Sequence, residues 1–132
     1  MDNAGINHVL EFERKNGRFP DLKSHSHPGF DIVSKDIADH VVRYIEVKSV
    51  SGDWGEQGVT LSKTQFEKAA ALGDRYWLYV VERAVQDDFQ IHCLQNPACQ
   101  VHQFVYDNGW KALAEENGEH AKSGLDSGIS QT

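Results

Sequence analysis

Residues 30–50 read FDIVSKDIADHVVRYIEVKSV, and this stretch decides the fold. Phe30-Asp31-Ile32-Val33 has the length and composition of a short strand. Val41 to Val50 is a longer run of β-branched and aromatic residues. The polar turn from Asp36 to Asp39 predicts that the two pair as a hairpin. Side chains alternate along a strand, so Glu46 and Lys48 share one face, with Cα atoms roughly 6–7 Å apart, and Val47 takes the other. Pairing with the first strand brings Asp31, fifteen residues before Glu46, toward the same face.

Upstream of the hairpin, Ile6, Val9 and Leu10 fall at helical spacing from Asn3 to about Lys15. The next position on that stripe is Glu13, which puts a carboxylate on an inward face, while Glu11 lies off the stripe in solvent. Gly17 ends the helix and Pro20 opposes its continuation. The segment through His25, Ser26, His27, Pro28 and Gly29 reads as a loop. Downstream, Ser49 to Thr60 carries Gly52, Gly55 and Gly58 around Trp54 and reads as a mobile loop. Ser62 is an N-cap for a helix running to Leu72, with Gly73 ending it. Tyr76 to Val81 is a continuous apolar run, as in a strand covered on both faces. Phe89 to Leu94 gives a further strand, stopped at Asn96-Pro97, and Val101 to Ala114 is mixed. Helix, hairpin, helix and strands in this order predict an α/β fold with a mixed central β-sheet flanked by helices. The helix between Val50 and Tyr76 serves as the crossover between parallel strands. A domain over 1–114 and a polar, disordered tail over 115–132 complete the expectation.

The 132 residues suit one domain. No apolar run spans a bilayer and the N-terminus is not a signal peptide, which predicts a cytoplasmic protein without membrane attachment. Cys93 and Cys99 do not have the spacing of a zinc cluster, and buried thiols are expected rather than a disulfide. Thirteen basic and twenty acidic side chains give a formal charge of −7, unlike most DNA-binding domains. The excess is uneven: residues 1–50 hold seven basic and eight acidic side chains, residues 51–132 six and twelve. No nucleophile elbow, P-loop or dinucleotide fingerprint is present, which removes those enzyme classes.

Two carboxylates and a lysine on one face of the paired strands point to metal-dependent phosphodiester hydrolysis. Asp31 and Glu46 supply the hard oxygen donors that Mg²⁺ prefers, with Mn²⁺ as an alternative, and Glu13 approaches from the helix as a third. Lys48 orients or deprotonates the attacking water, or stabilises charge on the phosphate. A same-face Glu-x-Lys is also a common surface ion pair worth a fraction of a kcal/mol, about 0.2–1. The apolar setting of the strand argues for the functional reading, because unpaired charges in such a setting are unfavourable. Glu13 has its own alternative, a carboxylate paired with a neighbouring Arg or Lys. Gln65, near a helix N-terminus, could bind phosphate or be an exposed helix residue. Trp54 could stack on a base or anchor its loop. His25 and His27 lack a cysteine to complete a zinc set, and His27 is taken as a phosphate-contacting loop residue.

Asp31 with Glu46-Val47-Lys48 resembles the core of the PD-(D/E)xK nuclease superfamily, whose fold is restriction-endonuclease-like. More of the chain resembles the Protein NO VEIN C-terminal domain family. The stretches that carry this are VLEFERKNGRFP (9–20), PGFDI (28–32), YIEVKS (44–49), LSKTQFEKA (61–69), GDRYWLYVV (73–81) and IHCLQNP (91–97). The resemblance implies that Glu13, Asp31, Glu46 and Lys48 take the active-site positions, with Gln65 where many relatives carry an acid. It implies a defence, restriction or repair context and DNA as substrate, with RNA also open. The chain is read as lacking the helicase, ATPase or methyltransferase segment that often accompanies the domain, so a protein partner or a homo-oligomer is expected. The alternative is a catalytically silent nuclease-like module that binds nucleic acid or a protein.

Overall fold

The computed structural model describes residues 3–23, 29–55, 59–100, 114 and 119–122. Its elements are α1 (Asn3–Lys15), β1 (Phe19–Leu22), β2 (Ile32–Lys35), β3 (Val41–Ser49), α2 (Lys63–Leu72), β4 (Tyr76–Glu82), β5 (Gln90–Gln95) and β6 (Glu119–Lys122), with short 3₁₀ turns at Gly73–Arg75 and Pro97–Gln100. Strand order in the sheet follows chain order from β1 to β6. Every neighbouring pair is antiparallel except β3 and β4, which run parallel with α2 between them in the chain. The fold is therefore α/β with a mixed sheet, as the sequence predicts.

The two faces of the sheet are covered differently. Ile32, Ile45, Trp77, Tyr79, Val81, Ile91 and Cys93 point to one face and pack with Ile6 and Val9 of α1. Gly5 permits the close approach of this helix to β3, because a Cβ there would collide with Ser49 Oγ. On the other face, Phe30, Val33 and Tyr76 pack with Ala69 of α2. Val50, Leu78, Val80 and Leu94 pack there against Trp54 and Val59 of the β3–α2 connection. Alternation within β4 produces this division, and all seven of its residues are buried because both faces are covered.

Three local features add to or differ from the sequence reading. Phe19-Pro20-Asp21-Leu22, to which the sequence assigns no element, forms an edge strand, with Pro20 opposite Ser34. Pro is tolerated there because an edge strand has one side without a ladder. Within the expected tail 115–132, Glu119–Lys122 pairs with β5, since ladder bonds come from the backbone and need no apolar side chain. The rest of that tail and most of the mixed segment 101–114 lie outside the described residues. Cys93 is buried as expected, whereas Cys99 is exposed at the 3₁₀ turn after β5. Among the described residues no helix is long and apolar enough to cross a membrane.

Candidate functional site

The site begins with the backbone at the β2–β3 junction. Asp31 stands immediately before β2, and its N–H donates to the Ile45 carbonyl at 2.8 Å. Its side chain continues that pairing, because Asp31 Oδ2 accepts from the N–H of Val47 at 2.9 Å. The carboxylate is thereby fixed beside Glu46 on the α2 face of the sheet. Register confirms the face: Val33 pairs with Tyr44, Glu46 with Leu78 and Lys48 with Val80.

From the other side, α2 supplies Gln65. Ser62 accepts from the Gln65 N–H at 3.1 Å, and the Gln65 side chain returns the bond by accepting from the Ser62 N–H at 2.8 Å, a reciprocal cap at the third helical position. A backbone N–H can only donate, which fixes the amide's orientation. Its Oε1 also accepts from Lys48 Nζ at 3.1 Å, and its Nε2 donates to Glu46 Oε2 at 2.9 Å. Lys48 Nζ lies 3.5 Å from the same Glu46 oxygen. Asp31, Glu46, Lys48 and Gln65 thus meet in one cluster, open to solvent at Lys48, whose side chain is 25% exposed.

The electrostatics of this cluster are unbalanced. Burial raises the Glu46 carboxyl, and the negative charge of Asp31 raises it further; Lys48 opposes both. The balance, with a smaller upward contribution from side-chain hydrogen bonding between the two carboxyls, holds Glu46 up at about 8. Burial pushes the Tyr76 hydroxyl up, and the same two carboxylates push it further. Two oxygen-donor side chains whose joint ionisation is disfavoured fit a hard divalent cation, which would relieve the repulsion between them.

Glu13, expected as a third donor, is placed elsewhere. It is fully buried on the α1 face, across the sheet from Glu46. Arg18 donates to it twice, from Nε to Oε1 at 2.5 Å and from Nη2 to Oε2 at 2.9 Å. Ser34 Oγ donates to Oε1 at 2.8 Å and the Tyr79 hydroxyl to Oε2 at 2.6 Å. Burial raises this carboxyl, but the bonds from Arg18, Tyr79 and Ser34 together outweigh it, leaving Glu13 below its ordinary value. The helical phase put Glu13 inward correctly, yet inward for α1 is the far face of the sheet. Among the described residues no three His, Cys, Asp or Glu side chains are grouped to hold a metal ion.

Trp54 is not available to stack on a base. Its side chain is fully buried against Leu78, Val80 and Leu94, and its backbone N–H donates to Glu82 Oε2 at 2.6 Å. Glu82 in turn meets His92 Nε2 at 2.6 Å through Oε1. The glycine-rich segment is therefore pinned at its middle by a buried aromatic ring and a buried carboxylate, a contact that periodicity could not show. His25 and His27 lie outside the described residues. Gln65 is the residue whose role the sequence understated. Its signal was the Ser62-x-x-Gln65 capping pattern, which places the glutamine amide at a helix start beside the strand that carries Glu46.

A comparison with curated proteins finds no match to this chain. A family model described as Protein NO VEIN, C-terminal, matches residues 1–94, a span that contains Asp31, Glu46, Lys48 and Gln65 together with the strands and helices that position them. With most of its length covered in this way, the chain belongs to the Protein NO VEIN C-terminal family.

Proposed function

We propose that the chain is a divalent-metal-dependent nuclease of the PD-(D/E)xK type with a restriction-endonuclease-like fold, acting on DNA. The observation that carries this reading is the convergence of Asp31, Glu46, Lys48 and Gln65 on one sheet face, with the Glu46 carboxyl raised by burial and further by the charge of Asp31. Asp31 and Glu46 would hold the Mg²⁺ or Mn²⁺. When bound, the ion supplies a Lewis acid on the phosphoryl oxygens and a more acidic water.

The other roles belong to the chain itself. Lys48 directs donor hydrogens into the open side of the cluster, where it orients the attacking water and stabilises charge that develops on phosphate. Gln65 keeps that ammonium in place and holds one Glu46 oxygen as an acceptor. Asp31 is locked by the Val47 N–H, so its carboxylate needs little reorganisation to bind.

Purified protein is expected to cut or nick duplex DNA in Mg²⁺ or Mn²⁺. Asp31→Asn should remove metal binding in a calorimeter along with cleavage. Lys48→Met should retain metal binding while losing activity about 10²–10³-fold. Cleavage that survives both substitutions would remove the assignment. Metal binding without cleavage by the unaltered chain would favour the catalytically silent binding module.

A further inference from the structure

Two lysines border the carboxylate pair and have no ion-pair partner among the described residues. The Lys23 N–H donates to the Asp31 carbonyl at 2.8 Å, extending the β1–β2 pairing one step past Leu22 and Ile32. Opposed residues of an antiparallel pair project to the same face, so Lys23 belongs to the face that holds Asp31. Lys68 lies three residues after Gln65 on α2, hence on the same side of that helix.

The stem of Lys68 runs close over Gly29, two residues before Asp31. A Cβ on Gly29 would meet Lys68 Cγ at 3.2 Å, Cβ at 3.3 Å and Cε at 3.4 Å. Gly29 has φ +108°, a conformation that side-chain-bearing residues rarely adopt, and its carbonyl accepts from the Tyr76 hydroxyl at 2.6 Å. Lys23 and Lys68 are both half-buried, so their stems have limited freedom.

We infer that Lys23 and Lys68 hold the phosphates flanking the reacting one, so that the site takes a polynucleotide backbone in preference to a small phosphodiester. This rests on the phosphodiesterase reading of the Asp31–Glu46 cluster. A lysine ammonium binds a phosphate as a compact point charge and reads no sequence, so these contacts place the strand without selecting bases. They also offset, at the one place where it matters, the repulsion between an acidic chain and an anionic polymer.

The test compares the unaltered chain with Lys23→Gln, Lys68→Gln and the double variant on an oligonucleotide duplex and on bis(p-nitrophenyl) phosphate, both with Mn²⁺. The ratio of kcat/KM for the oligonucleotide to that for the small ester should fall about tenfold per lysine, the loss of one charge-assisted contact, with the change carried by KM. A constant ratio overturns the proposal. If the unaltered chain cuts neither substrate, the nuclease reading has failed, and binding decides this one separately. In Ca²⁺, anisotropy with the same duplex should show the plot of log K against log salt flatten by about two for the double variant. An unchanged slope would overturn the inference.

Discussion

Glu13 and Glu46 are buried on opposite faces of one sheet, and their surroundings differ in kind. Glu13 accepts four hydrogen bonds, two of them from a guanidinium, and its carboxyl sits below the ordinary value despite burial. Glu46 has one amide donor and a lysine that it shares with that amide, and it faces a second carboxylate. The first group is electrostatically complete and secures α1 and the residues after it to the sheet. The second is incomplete in a way that an added cation would correct. Burial of an acid is thus a poor guide to function by itself; the count and charge of its donors separate a structural carboxylate from one arranged to bind.

The largest expected effect comes from removing the complete site. Glu13→Ala leaves the half-buried Arg18 guanidinium and the Tyr79 and Ser34 hydroxyls without their acceptor, which should lower folding stability by about 3–5 kcal/mol. Chemical denaturation measures this directly, and calorimetry should show divalent-ion binding unchanged in whatever fraction remains folded. Loss of metal binding by a folded Glu13→Gln protein would contradict the separation of the two faces. The pH dependence has a definite sign. The folded-state value of Glu13 is depressed, so its contribution is present above the unfolded value of 4.5 and is lost as pH falls below it through the folded value.

The contrast also marks how far the sequence could be read. Helix phase showed that Glu13 points inward, and strand alternation showed that Glu46 and Lys48 share a face, because both are local periodicities. Which face of the sheet α1 covers is a tertiary choice, and no spacing within residues 3–15 encodes it. The donors that complete Glu13, Ser34 and Tyr79, lie 21 and 66 residues away in the chain. Trp54 follows the same logic: flanking glycines suggested mobility, whereas its burial depends on strands β4 and β5 beneath it. β1 escaped notice because Phe19-Pro20-Asp21-Leu22 has no alternation and gains its structure by pairing with β2. Asp31, Glu46 and Lys48 were legible because their convergence needs only a hairpin.

A smaller and opposite effect is expected at the incomplete site. With a folded-state value of about 8 against an ordinary value of 4.5, Glu46 takes up a proton on folding between those limits. The metal-free protein should therefore lose stability as pH rises from about 4.5 to about 8, the reverse of the Glu13 contribution. Glu46→Gln removes this penalty and should stabilise the metal-free protein at pH 8 by about 1–2 kcal/mol, after allowance for the weakened Lys48 contact. Adding Mg²⁺ should raise the melting temperature of the unaltered chain at pH 8 more than at pH 5, and should do little for the variant. Glu46→Gln that melts lower than the parent at pH 8 without metal would mean that Glu46 is a satisfied carboxylate like Glu13.

The smallest effect sharpens the comparison most, because it separates the helix cap from the site. Ser62→Ala deletes the hydroxyl that accepts from the Gln65 N–H, and loss of such a cap is worth about 1 kcal/mol. The Ser62 backbone N–H remains, however, and it is this donor that fixes the Gln65 Oε1 toward Lys48 and the Nε2 toward Glu46. The variant should therefore melt a few degrees lower, while the Glu46 carboxyl, followed by carbon-detected NMR in the metal-free protein, titrates where it does in the parent. Gln65→Ala should instead move that titration upward, since it deletes a hydrogen bond to the charged form. Equal shifts from the two substitutions would mean that the cap, and not the amide, sets the state of Glu46.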